Sequence, residues 1–80
     1  MSYTYVVITI TDLVWNNTKI YEIYKTKITN PIKFSEKVDK RIEIIRNKIF
    51  SENEYTLEDI KRFNEENEIN YEEIDSIYNL

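Results

Sequence analysis

The sequence predicts an α+β fold in one domain spanning residues 1–80: an antiparallel β-hairpin (about 3–14 and 20–29) followed by three helices (about 33–50, 57–66 and 71–79). Three observations carry this reading. β-Branched and aromatic residues dominate the first thirty positions, the composition of a pleated, half-buried surface. After Asn30-Pro31 the apolar residues change to helical spacing. Beyond position 52, an eight-residue pattern that resembles a capped helix start occurs twice, fourteen residues apart.

The two strands are Tyr3 to Val14 and Ile20 to Thr29, with the reversal in Trp15-Asn16-Asn17-Thr18-Lys19. The chain has no glycine, so asparagine is its best candidate for a positive φ angle. A register with Val14 opposite Ile20 puts Val6, Ile8, Ile10, Ile20, Tyr24 and Ile28 on one side, and a slip of one residue would invert the faces. The other side then carries Tyr3, Tyr5, Tyr21, Ile23, Lys25 and Lys27. Proline cannot donate to a β-ladder and restricts the residue before it, so Asn30-Pro31 ends the hairpin.

In the first helix Phe34, Val38, Ile42, Ile45 and Ile49 form one apolar stripe. The later repeat aligns Asn53 to Ile60 with Asn67 to Ile74. Thr56 and Asn70 are placed as N-caps, with Asp59 and Glu73 three residues on to complete capping boxes. Phe63 to Ile74 also resembles the second half of an EF-hand, an apolar residue ahead of a capped, carboxylate-bearing helix. Counted from Asn64, the sixth position is Ile69, where that loop requires glycine, and the twelfth is Asp75. The expectation there is a helix-loop-helix without metal.

Eighty residues allow one core, burying roughly 60 to 65% of the unfolded surface. With no Cys there are no disulfides or thiolate ligands, and with no His or Gly there is no imidazole base, phosphate-cradling loop or nucleophile elbow. Carboxylate pairs on solvated helix faces keep ordinary pKa values, so we expect no enzyme and no cofactor or metal. The sequence has no basic segment leading into an apolar one at its start, and no apolar run near the roughly 18 residues of a membrane span. A cytoplasmic protein is expected, and Asn16-Asn17-Thr18 reads as a turn rather than a glycosylation site. The abundance of Ile, Asn, Lys, Glu and Tyr points to an AT-rich genome and admits a viral or phage origin, with the host cytoplasm as compartment.

Charge is divided along the chain. The last thirty residues hold ten carboxylates against Lys61 and Arg62, whereas the first fifty hold nine basic residues against five acidic ones. Glu58, Asp59, Glu72 and Glu73 suit helix starts, where the macrodipole favours negative charge. The remaining acidic set suggests a non-catalytic protein-binding module. In its most concrete form this is a small acidic viral or phage inhibitor that mimics nucleic-acid charge to dock on a host nucleic-acid-handling or defence protein. The candidate partner-binding residues are Glu54, Glu65, Glu66, Glu68, Tyr71, Asp75 and Tyr78, with the two tyrosines as aromatic anchors. One alternative is nucleic-acid binding through Tyr3, Tyr5, Tyr21, Lys25 and Lys27, since aromatics interleaved with lysine can stack bases and neutralise phosphates. A second alternative is a self-associating structural protein, such as a homodimer, joined through bare strand edges.

Overall fold

The computed structural model describes residues 3–75. Its elements run β1 (Thr4–Asp12), β2 (Asn17–Thr26), α1 (Pro31–Glu52), α2 (Leu57–Glu66) and β3 (Asn67–Ile74). The strands form one antiparallel sheet in the order β2-β1-β3. The architecture is therefore β-β-α-α-β, and the hairpin-plus-three-helices reading is overturned.

β1 is central because its sequence is apolar on both faces. Val6 and Ile8 turn toward the helices and are fully buried, while Val7 faces the other way between Ile23 and Glu72 and is equally inaccessible. Such a strand needs a neighbour on each side, and an isolated two-stranded hairpin is marginal in water. The core consists of Val6, Ile8, Phe34, Val38, Ile45 and Ile69, with Ile42 and Ile49 packed partly against it. The helical stripe thus lies on the sheet as its spacing requires. Pro31 occupies the first turn of α1, and the Asn30 side chain accepts the Ile32 and Lys33 amides at 3.1 and 3.2 Å. That cap is worth about 1 kcal/mol.

α1 stops in a Schellman arrangement. Glu54 adopts φ 52°, its N–H donates to the Ser51 carbonyl, and the Tyr55 N–H reaches back to Phe50. The reversal brings Phe50, Tyr55 and Phe63 into one aromatic cluster, with Phe50 and Phe63 edge to face at 5.4 Å. α2 starts with the capping box written at Thr56 and Asp59: the Asp59 N–H donates to Thr56 Oγ1, and the Thr56 N–H donates to the Asp59 carboxylate.

The second copy of that pattern does something else. Asn67 to Ile74 is β3, so Asn70 and Glu73 cap no helix, and neither the helix about 71–79 nor the EF-hand-like helix-loop-helix forms over the described part of the segment. Positions 76–79 of that expected helix lie outside the described residues. In β3, Ile69 and Tyr71 alternate toward the core opposite Ile10 and Ile8, while Glu68, Asn70 and Glu72 take the other side. The free side of β1 offers more burial than a solvated helix would, and tertiary pairing overrides the local cap signal.

The hairpin register also differs. Asp12 pairs with Asn17, so Val14 and Ile20 are not partners, and the strands end near Asp12 and Thr26 rather than at 14 and 29. Val6, Ile8, Ile10, Tyr24 and Ile28 still share the core side, because the registers from Thr4 to Ile8 differ by an even number of residues. A bulge breaks this parity. Ile8 pairs with Glu22 but Thr9 with Ile20, which leaves Tyr21 as the extra residue and Ile20 half exposed.

Candidate functional site

The turn between β1 and β2, Leu13 to Asn16, is apolar in composition yet exposed in position. Leu13, Val14 and Trp15 are 51, 62 and 80% exposed. A Trp side chain presents about 150–250 Å² of burial. Leaving four-fifths of that in water forgoes about 3–5 kcal/mol at 25 cal/mol per Å².

The turn is nevertheless fixed. One Asp12 carboxylate oxygen accepts the amides of Val14 and Trp15 at 2.9 and 3.1 Å, an Asx turn. Asn16 takes φ 52°, the left-handed conformation that asparagine tolerates. The Thr11 and Thr18 hydroxyls meet across the strands at 3.0 Å. A tertiary bond then ties the turn to the helical layer: the Leu13 N–H donates to the Glu66 carbonyl at 2.8 Å. Beside the turn opens a groove of about 330 Å³ whose walls include Ile10, Asp12, Lys19, Ile20 and Asn67.

That bond places the apolar turn against the junction of α2 and β3, where Glu65, Glu66 and Glu68 are all exposed. Asp12 and Asn67 pair there, and Thr11 pairs with Glu68. None of these three glutamates has an ion-pair partner among the described residues. The pairs found are Arg41–Glu22, Arg46–Glu43 and Lys48–Glu52, so the lysines of α1 do not neutralise the junction.

The rest of the acidic set is dispersed. Glu54 sits at the far end of α2, about 15 Å along a ten-residue helix. Asp75 lies beyond the opposite end of β3. Tyr71 is half buried, its ring edge-on to Phe34 at 6.2 Å, and is committed to the core rather than free as an anchor. Tyr78 lies outside the described residues. The anchor-type residue missed in sequence is Trp15. Its signal was the run Leu13-Val14-Trp15 directly ahead of Asn16-Asn17, three apolar residues at a reversal with no partner strand position to bury them.

The Tyr/Lys face is partly self-occupied. The ammonium groups of Lys25 and Lys27 lie 4.3 and 4.8 Å from the centre of the Tyr3 ring. Tyr5 stands opposite Lys25. Tyr21 lies at the bulge, away from them, and the same sheet face carries Glu68 and Glu72 from β3. Stacking on Tyr3 competes with two cation–π contacts, and approaching phosphates meet carboxylates across the sheet.

On the helix-covered side, Arg41 clamps Glu22 with two bonds, Nε at 2.9 Å and Nη2 at 2.8 Å. This pair fastens the bulged part of β2 to α1, and the hydrogen bonds that Arg41 donates to the Glu22 carboxylate hold the guanidinium pKa above its usual value. Burial, then the nearby Glu22 charge, raises the Tyr24 hydroxyl. Asp59 is shifted downward by the Thr56 backbone N–H and then by its hydroxyl. These shifts belong to groups that join, pack or cap elements. Among the described residues no helix is long and apolar enough to cross a membrane, and no cluster of three or more carboxylates is arranged to hold a metal ion. Comparison of the chain with protein-family models, with curated proteins and with solved structures found no match.

Proposed function

We propose that this chain is a non-catalytic protein-binding module whose contact is the Leu13-Val14-Trp15 turn flanked by Glu65, Glu66 and Glu68. The supporting observation is the Leu13 to Glu66 backbone hydrogen bond, which ties the turn carrying the 80% exposed Trp15 to the junction that holds Glu65, Glu66 and Glu68, none of them ion-paired among the described residues. Binding energy concentrates in a few large aromatics inserted into pockets, while surrounding charge steers approach and rejects competitors. A preorganised turn also loses little entropy on docking. The complementary surface is an apolar pocket rimmed by lysine and arginine, a chemistry found where proteins handle nucleic acid. Glu68 and Glu72, four residues apart on one strand face, are about 13 Å apart. That spacing is sparser than duplex phosphates, and it favours an acidic rim around an anchor over a phosphate-by-phosphate copy.

The test is affinity capture from cells of the source organism or its host with three baits: the parent protein, Trp15→Ala, and the triple variant Glu65→Lys, Glu66→Lys, Glu68→Lys. The expected result is a protein retained by the parent at low salt, lost with either variant and weakened by salt. A partner that binds all three baits equally would refute the assignment, provided circular dichroism shows the variants folded.

A further inference from the structure

The two edges of the sheet carry opposite charge. β2 and the residue after it present Lys19, Lys25 and Lys27, with Glu22 already clamped by Arg41. β3 presents Glu68 and Glu72 on the same sheet face as Lys25 and Glu73 on the helix-covered face, all exposed and with no ion pair among the described residues. Neither edge has a second neighbouring strand among the described residues. From this we infer that the protein associates with further copies of itself head to tail, the β2 edge of one molecule against the β3 edge of the next. This surface shares only Glu68 with the flank of the Trp15 turn and does not depend on the function proposed for it.

Charge complementarity selects this partner and this geometry. A two-fold pairing of β2 with β2 brings lysines together, and β3 with β3 brings glutamates together, so both symmetric dimers are repelled. Only the unlike edges attract. β2 and β3 both run antiparallel to β1 and hence point the same way, so a copy displaced sideways continues the sheet with the two strands parallel. Lys25 and Ile74 face the same β1 residue, Tyr5, while Ile23 and Glu72 share Val7. Sideways displacement therefore sets Lys25 beside Ile74 and one diagonal step from Glu72, and covers Ile23, which is 41% exposed in the monomer. The bulge at Tyr21 confines pairing to the half of β2 beyond it, so contacts are short and association is weak. A heterologous contact of this kind does not close on itself and gives chains rather than dimers.

Sedimentation of the full chain at low salt should show an average mass that keeps rising with concentration, and 1 M salt, with its Debye length of about 3 Å, should return it to monomer. Two charge reversals sharpen the test. The variant Lys25→Glu, Lys27→Glu has two acidic edges, and Glu72→Lys, Glu73→Lys has two basic ones, so each alone should be monomeric. Mixed in equal amounts they should associate at low salt, an outcome that misfolding of either variant cannot imitate. The inference is overturned if the parent is monomeric at every concentration and salt, if either variant associates as the parent does, or if mixing restores nothing. Association that persists in 1 M salt would also overturn it, since contact through the apolar turn is not screened.

Discussion

Replacing Glu54 with glycine should stabilise the protein, although Glu54 belongs to the acidic set that the charge pattern assigns to partner binding. Glu54 is held at φ 52° by the Schellman closure of α1, with its N–H on Ser51 at 3.3 Å and that of Tyr55 on Phe50 at 3.1 Å. For a residue with a Cβ, the left-handed region costs about 1–2 kcal/mol. Glycine removes that cost but gives back about 0.5–1 kcal/mol through the greater freedom of its unfolded state. The net gain lies between about 0 and 1.5 kcal/mol, and its midpoint of about 0.75 raises the melting temperature by about 3–6 °C in a domain of this size. Thermal unfolding followed by circular dichroism at pH 7 measures it. Glu54→Ala is the control, because it deletes the same carboxylate near the negative end of α1 but keeps the Cβ, so only a few tenths of a kcal/mol should change. If Glu54→Gly melts no higher than Glu54→Ala, backbone strain is not what this position carries.

Two further perturbations separate the elements that the repeat makes look alike. Ile69 is 6% exposed in β3, whereas Leu57, in the first copy of the repeat, is 86% exposed at the start of α2, so Ile69→Ala should cost about 2–5 kcal/mol while Leu57→Ala stays within about 0.5; equal losses in urea unfolding would contradict β3. Asp59 has its folded pKa lowered below the ordinary 3.8 by the Thr56 bonds, so its contribution is present above that value and lost as pH falls through the lowered one. The melting-temperature gap between parent and Asp59→Asn should therefore be open at pH 7, begin to narrow near about pH 4 and close only as pH falls through the lowered value; a gap independent of pH would mean the charge is not used.

The parts of the fold legible in sequence were those fixed by local chemistry. Asn30-Pro31 starts α1, the Phe34 to Ile49 stripe defines its buried face, and Thr56 with Asp59 starts α2. The failure at Asn67 to Ile74 has a specific cause. Its cap pattern repeats that at the start of α2, and both copies alternate apolar-polar-apolar, Tyr55-Thr56-Leu57 in the first and Ile69-Asn70-Tyr71 in the second, so local pattern does not separate the strand from the helix start. Cap spacing cannot register the demand set elsewhere by β1. That demand was visible in the unbroken run Val6-Val7-Ile8, which is apolar on both faces and so marks a central strand. A central strand in a chain with one hairpin obliges a third strand, and Asn67 to Ile74 supplies it.

The same step disperses the acidic excess of the last thirty residues. On a helix from 71 to 79, the later carboxylates would stack with those of α2 into one continuous acidic flank. As a strand, the segment carries Asp75 away from Glu65 by the length of β3 and turns Tyr71 into the core. What remains concentrated is Glu65, Glu66 and Glu68, held next to the turn because β3 pairs with the end of β1 and Leu13 bonds to Glu66. An apolar turn is ordinarily selected against, since it adds nothing to the fold and invites aggregation. Here Asp12, Asn16 and the Leu13 N–H all act to hold Trp15 outward. If fold stability were their only purpose, a polar turn would serve Asp12 and Asn16 equally well. Replacing Leu13-Val14-Trp15 with Ser-Asn-Thr should accordingly leave the melting temperature unchanged or higher and abolish capture of the partner; a large loss of stability would instead make the turn a part of the core and remove the argument for docking.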